Sequence, residues 1–332
     1  MWFDLLVSQG DLKQGQQTRA EDPEGVTSVR KVTDSDILNL VGGITILGRP
    51  LMGGQKVVVP VSKDEERLAL KIVWIEETDL TAPQDEEATA GVEDSEVLAR
   101  VKREVEILSQ AGIPELAKLG SIPPSLGIID GSPVLFYSEE WVEGTDLKSA
   151  IRAKGRLPAI EVATLGIHMG RAIQWLAERQ LIHRDIKPGN IIHKPDGTFV
   201  LLDLGMAFDL NDLSLTVPGM TVGTLPYLSP EQLDPQRKRN MDYRSDTYSL
   251  GVTMYEASTG THPYYVNGMS STDTILSIQS KLPLSPSHLV AGFPSSLEDV
   301  IMRLLEKNPH LRYRSCAKMI EALESVKGEL EG

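Results

Sequence analysis

Residues 183–190 read His183-Arg184-Asp185-Ile186-Lys187-Pro188-Gly189-Asn190, and Asp203-Leu204-Gly205 begins thirteen residues after Asn190. A carboxylate base, a cation and two oxygen donors suited to a metal ion therefore share one short stretch. Phosphoryl transfer from ATP asks little covalent chemistry of a protein. It needs a positioned nucleophile and neutralised phosphate charge, and these residue types supply both.

The surrounding pattern shows what must hold them. An apolar run, Phe199 to Leu202, precedes Asp203 and places it at a strand end. Upstream, from Ala159 to Arg179, the residues Val162, Leu165, Ile167, Met169, Ile173 and Leu176 recur between polar positions, which predicts a helix. Earlier, from Ile37 to Trp74, short apolar runs (Ile44 to Leu47, Val57 to Val61, Leu68 to Trp74) alternate with Gly, Pro and charged clusters, an antiparallel-sheet pattern. Val97, Leu98, Val101, Val105 and Leu108 then mark an amphipathic helix to Gln110, and Leu126–Ile129 and Val134–Tyr137 read as further strands. A β-rich half followed by a helical half is an α+β arrangement.

The spacing of His183 to Asn190 with Asp203 resembles the catalytic segment of protein kinases. Gly223-Thr224-Leu225-Pro226-Tyr227-Leu228-Ser229-Pro230-Glu231 is similar to the end of a kinase activation segment, with Ser229 where the family more often has Ala. Leu68-Ala69-Leu70-Lys71 is similar to the strand that carries the ATP-binding lysine, and Glu140-Trp141-Val142-Glu143-Gly144-Thr145-Asp146-Leu147 to the connection between lobes. Leu204 replaces the family's usual Phe by another large apolar side chain. Tyr227 to Leu233 and the compact chain resemble the eukaryotic-like (Hanks-type) serine/threonine kinases of bacteria.

The resemblance implies a bilobal kinase fold over residues 36–328. It gives a small antiparallel β lobe with one main helix at 36–141, a hinge at 141–144 and a larger, mostly helical lobe at 145–328, after an N-terminal extension at 1–35. It implies that Asp185 accepts the proton of the attacking hydroxyl, Lys187 reaches the transferring phosphoryl group, and Asn190 with Asp203 holds Mg²⁺. Thr224 would bond Asp185 and Lys187 and shape the floor for a Ser or Thr acceptor. Lys187 points the same way, since tyrosine kinases generally lack a lysine there. Lys71 would bridge the α- and β-phosphates of ATP, held by Glu104 of the amphipathic helix; the rival Glu106 would lie about 200° around it. Val142 would present backbone groups to adenine and Asp146 a carboxylate to ribose, with Ala69 and Ile192 among the nucleotide contacts. Glu231 would pair with Arg312, and Asp246 would brace the catalytic loop.

Two positions depart from the family. In Gly48-Arg49-Pro50-Leu51-Met52-Gly53-Gly54-Gln55-Lys56-Val57, Pro50 stands at the central glycine of the phosphate loop, removing a backbone N–H. Gly53 and Gly54 compete for the third glycine, and Val57 takes the adenine-covering place with a small insertion. The expected consequence is a raised KM for ATP or altered nucleotide use. Glu139 falls where an apolar residue or Thr guards the back pocket, so either the register slips by one or that pocket is polar. These departures motivate the alternative of a nucleotide-binding or scaffold pseudokinase. Lys71, Asp185, Asn190 and Asp203 oppose it, and Thr224 opposes a small-molecule kinase.

The bulk numbers fit a folded protein of 332 residues, 41% hydrophobic and 24% charged. No apolar run reaches the roughly 18 residues of a membrane span. Met1-Trp2-Phe3-Asp4 carries an acid early and no base precedes Lys13, the wrong order for a secretory signal. The single cysteine, Cys316, fits a reducing cytoplasm. A net charge of −14, no basic stripe, no P-loop motif and no H-E-x-x-H argue against nucleic-acid binding, P-loop chemistry and a zinc site. Residues 1–35, broken by Gly10, Gly15, Pro23 and Gly25, read as an extension at most partly ordered. The segment Glu76–Glu96 holds nine acids and no base and lengthens the Lys71 to Glu104 separation to thirty-three residues. It reads as a solvated loop, or as a regulator of the Glu104 helix or a docking site for a basic partner. Arg184 beside Asp185 suggests control by a phosphorylated activation segment, with Ser214, Thr216 and Thr221 as acceptors.

Overall fold

In the computed structural model of the chain, which describes residues 32–52, 56–75, 96–204, 208–209, 224–234, 236 and 241–332, alternation decides the first half. In strand β3 (Lys56–Lys63), Val57, Val59 and Val61 are fully buried while Val58, Pro60 and Ser62 are only partly so. β3 pairs antiparallel with β1 (Ile44–Ile46), β2 (Leu51–Met52) and β4 (Glu66–Trp74), and β4 pairs with β6 (Ser132–Glu140), which pairs with β5 (Ser125–Ile129). Pro60 interrupts no described pairing, because its carbonyl accepts from Leu47 N (2.8 Å) on the side where β1 has already ended. The β3–β4 hairpin turns on Asp64 and Glu65, both at positive φ (48° and 67°), which is the twist a two-residue turn needs.

The chain divides into two units, residues 1–105 with 119–141 and residues 106–118 with 142–332. In the first, Val57, Val59, Val61, Leu68, Leu70, Ile72, Val134 and Phe136 form one buried face of the sheet, joined by Ile37 and Val41. Each such side chain contributes about 1.5–3 kcal/mol by leaving water, so this face holds the sheet together. Ile37 belongs to α1 (Asp34–Leu40), a helix where the sequence pattern suggested the start of the sheet. The cause is a capping box: Thr33 Oγ1 accepts from Asp36 N, and the Asp36 carboxylate accepts from Thr33 N. Helix α2 (Glu96–Gln110) follows β4 in sequence.

The second unit contains β7 (Thr145–Asp146), α3 (Leu147–Lys154), α4 (Ala159–Ala177), β8 (Leu181–Ile182), β9 (Ile191–His193), β10 (Phe199–Leu201) and β11 (Phe208–Asp209). It continues with α5 (Tyr243–Thr259), α6 (Ser271–Ser280), α7 (Ser295–Leu304) and α8 (Cys316–Glu331). Helix α4 is buried nearly all round, which makes it the centre of the unit. Small residues let it be crossed closely: a Cβ on Gly166 would meet Met254 of α5 and Leu323 of α8 within 3 Å. An antiparallel sheet in one unit and a mostly helical second unit form the α+β, bilobal class expected. Among the described residues no helix is long and apolar enough to cross a membrane. The extension up to residue 31, Gly53, Gly54, most of the acidic segment, Gly205 and the acceptors Ser214, Thr216 and Thr221 lie outside the described residues.

Candidate active site

Within the first unit, the β4–β6 register sets which side chains meet. Leu70 and Ile72 turn into the core face, so Lys71 faces the other way, opposite Tyr137. Its ammonium donates to Glu104 Oε1 of α2 at 2.6 Å and also to Glu139 Oε1. All three ionisable side chains are at most 4% exposed. Glu104, not the exposed Glu106, is thus the carboxylate that the helix turns inward. The register does not slip at Glu139: it pairs with Ala69 and shares the face of Lys71 and Tyr137, so this face is polar. Burial, then the Glu104 charge, pushes the Tyr137 phenol well above its ordinary value. One expected contact is corrected. Val57 pairs with Ile72 and lies in the buried core, so it cannot cover a base from the Lys71 face; Val58, opposite Lys71, is the valine on that face. Ala69 is half-buried on that same face. Gly48 has a packing reason, since a Cβ there would come within 2.9 Å of Pro60 Cγ.

In the second unit, the loop between β8 and β9 ends in a 3₁₀ turn at Pro188–Asn190 and gathers four predicted residues. Lys187 Nζ donates to both oxygens of Asp185 at 2.8 Å each and to Thr224 Oγ1 at 2.9 Å. Asn190 Nδ2 donates to the Asp185 backbone oxygen and to Asp185 Oδ2, each at 2.8 Å. Leu202 N donates to Asn190 O (2.8 Å), which ties the chain just before Asp203 to the loop. Asp203 (φ 64°) and Arg184 (φ 69°) both occupy the left-handed region, a strain that surrounding structure must sustain. Asp246 of α5 does so at Arg184: its carboxylate accepts from His183 N (2.8 Å) and Arg184 N (2.9 Å). Its burial pushes that carboxyl up, while the nearby His183 and the two amides pull it down.

Arg312 donates to both oxygens of Glu231, at 2.6 and 3.0 Å, and closes the base of the same region. Gln232 was not singled out from the sequence. Its Oε1 accepts from Ser229 N (2.9 Å) and Oγ (3.1 Å), and its Nε2 reaches the Arg184 carbonyl (3.5 Å). The signal was the Ser-x-x-Gln spacing, which also explains how Ser229 is accommodated. Asp146 caps α3, accepting from Ser149 N at 2.8 Å, and pairs with Ile192 across β7 and β9. Gly144, at φ 152°, allows this close pairing, since a Cβ would sit 2.4 Å from His193 O. Val142 is half-buried at the start of the unit.

The donor set suits Mg²⁺. With its amide nitrogen committed to Asp185, Asn190 is oriented with Oδ1 as the remaining ligand atom. Asp203 would supply a carboxylate, and two hard oxygen ligands are what a largely hydrated Mg²⁺ takes from a protein. Among the described residues no group of three or more His, Cys, Asp and Glu could hold a metal. Cys316 is buried, and burial pushes its thiol up to about 12, which fits a packing residue rather than a nucleophile.

Residues 61–323 match a family model described as a protein kinase domain. The chain is 32% identical to the probable serine/threonine-protein kinase CPE1738 of Clostridium perfringens, over 70% of this chain and 32% of that protein. It is 31% identical to the serine/threonine-protein kinase PknA of Mycobacterium tuberculosis, over 70% of this chain and 52% of that protein. It is 32% identical to PknB of Mycobacterium leprae, over 56% of this chain and 29% of that protein. The chain thus spans between about a third and about half the length of these curated relatives.

Proposed function

The chain belongs to the protein kinase family, and we propose that it transfers the γ-phosphoryl group of ATP to serine or threonine hydroxyls of proteins. The observation that carries this reading is the assembled set Asp185, Lys187, Thr224 and Asn190. Asp185, 7% exposed and held by Lys187 and Asn190, is the base that receives the hydroxyl proton. Lys187 neutralises charge on the moving phosphoryl group, and while it waits its two bonds keep the Asp185 carboxylate oriented. Thr224, hydrogen-bonded to Lys187, sets the height of the acceptor and favours a short aliphatic hydroxyl over a phenol. Lys71, paired with Glu104, is the cation for the non-transferred phosphates. When bound, Mg²⁺ would neutralise phosphate charge, with Asn190 and Asp203 as the residues to hold it. Autophosphorylation of the activation segment belongs to the same reading, with Arg184 as the cationic partner of the phosphate. The compartment proposed is the cytoplasm.

The test is label transfer from γ-labelled ATP to a generic basic protein, with and without Mg²⁺, followed by phosphoamino-acid analysis and peptide mapping of the chain. Label on serine or threonine that needs Mg²⁺ is expected. Label on tyrosine alone, or none from folded protein carrying phosphate on its activation segment, would contradict the proposal.

A further inference from the structure

We propose that Glu139 is a positioning residue that competes with nucleotide phosphate for Lys71 and so lowers the affinity for MgATP. This rests on the reading that Lys71 contacts ATP phosphates. Glu104 already gives Lys71 a carboxylate at 2.6 Å, and β6 brings a second one to the same ammonium. A lysine ammonium has three donors. Two of them point at buried carboxylates, so phosphate meets a cation already largely engaged. The neighbours of Glu139 on its face of β6 are Leu135 and Tyr137, both buried. Such a face hosts a carboxylate at a desolvation cost unless the carboxylate is paired, and the pairing is with Lys71. Tyr137, fully buried on the same face with its ring 5.9 Å from Lys71 Nζ, keeps the dielectric low. A negative charge about one ammonium away from the phosphate is therefore weakly screened. At an intermediate effective dielectric its removal strengthens MgATP binding by about tenfold.

The effect is electrostatic, so it must follow the phosphates and pass through Lys71. Glu139→Gln keeps the shape and removes the charge. Calorimetric titration of the full chain with MgATP, and in parallel with adenosine, reads it directly. The expected result is an MgATP Kd lowered about tenfold with the adenosine Kd unchanged, while Lys71→Met weakens MgATP binding and erases the Glu139→Gln gain in the double variant. Equal gains for adenosine and MgATP would mean a reshaped pocket and overturn the proposal. So would an unchanged or weaker MgATP Kd in Glu139→Gln while Lys71→Met still weakens binding; that pattern leaves the reading of Lys71 intact. Should Lys71→Met leave MgATP binding unaltered, the underlying reading fails with it. Glu139→Met, uncharged and of similar length, gives the same comparison if Glu139→Gln does not fold.

Discussion

Replacing Arg312 by methionine strands a buried carboxylate. Arg312 is 1% exposed and donates to Glu231 twice, to Glu306 O (2.8 Å) and to Arg244 O (2.7 Å), with its guanidinium 4.8 Å from the Tyr248 ring. Breaking a buried ion pair from one side costs about 3–5 kcal/mol. The two carbonyls lose a donor at about 1 kcal/mol each, and the methionine chain recovers part by packing. A net loss of about 4–5 kcal/mol at pH 7 is expected, a large share of the 5–15 kcal/mol typical of a domain. The pH dependence gives a second signature. In the native chain burial works against the charged form of Glu231, but the bonds to Arg312 outweigh it and hold the carboxyl below its ordinary value. That stabilisation is present above the ordinary carboxylate range and is lost as pH falls through the lowered value. Without Arg312 burial outweighs the remaining bond from Ser245 (2.9 Å) and the carboxyl rises, so Glu231 adds stability as pH falls from 7 towards 5. Urea unfolding followed by circular dichroism measures both, and Glu231→Gln in the Arg312→Met background should restore about 2 kcal/mol. A loss under about 1 kcal/mol, or a native-to-variant gap that does not narrow with acid, would refute the reasoning.

Asp246→Asn leaves one amide of His183 or Arg184 facing an NH₂ group. Steady-state kinetics should show kcat reduced about 10- to 100-fold with little change in the KM for ATP, because the loop that carries Asp185 shifts while Lys71 does not. His262 accepts from Tyr264 N (3.1 Å) and Tyr265 N (3.0 Å) through Nδ1, and burial lowers its pKa to about 3. Its unfolded value lies near 6.5. The folded chain should therefore lose up to about 1.4 kcal/mol per pH unit from this group as pH falls below that value. His262→Asn keeps an acceptor without the titration, so its Tm should fall less than the native Tm between pH 7 and 5.

The catalytic loop was legible because its chemistry is local. Asp185, Lys187 and Asn190 lie within six residues, and a 3₁₀ turn is enough to bring them together. Thr224 and Asp246 are distant in sequence, and only the family resemblance pointed to them. Val57 matches the adenine-covering place by motif yet falls on the core face, because strand parity depends on the hairpin register, and that register is set by Asp64-Glu65, a pair without the usual turn glycine. Helix α1 was missed because seven residues carry too little periodicity, although Thr33 and Asp36 spell out its cap. Glu139 stood out by type, but the sequence held no sign that its carboxylate meets Lys71. That contact needs β4, β6 and their register at once.

The central claim is that Asp185 is the base of a phosphoryl transfer to serine or threonine. Single-turnover label transfer by Asp185→Asn, compared with the native chain at saturating MgATP and protein acceptor, tests it most directly. Asparagine with its oxygen at the Oδ2 position preserves the bonds from Lys187 and Asn190 there but cannot take a proton, so the rate should fall by about 10² to 10⁴ with nucleotide binding retained. A loss smaller than about tenfold in a folded, ATP-binding variant would contradict the account.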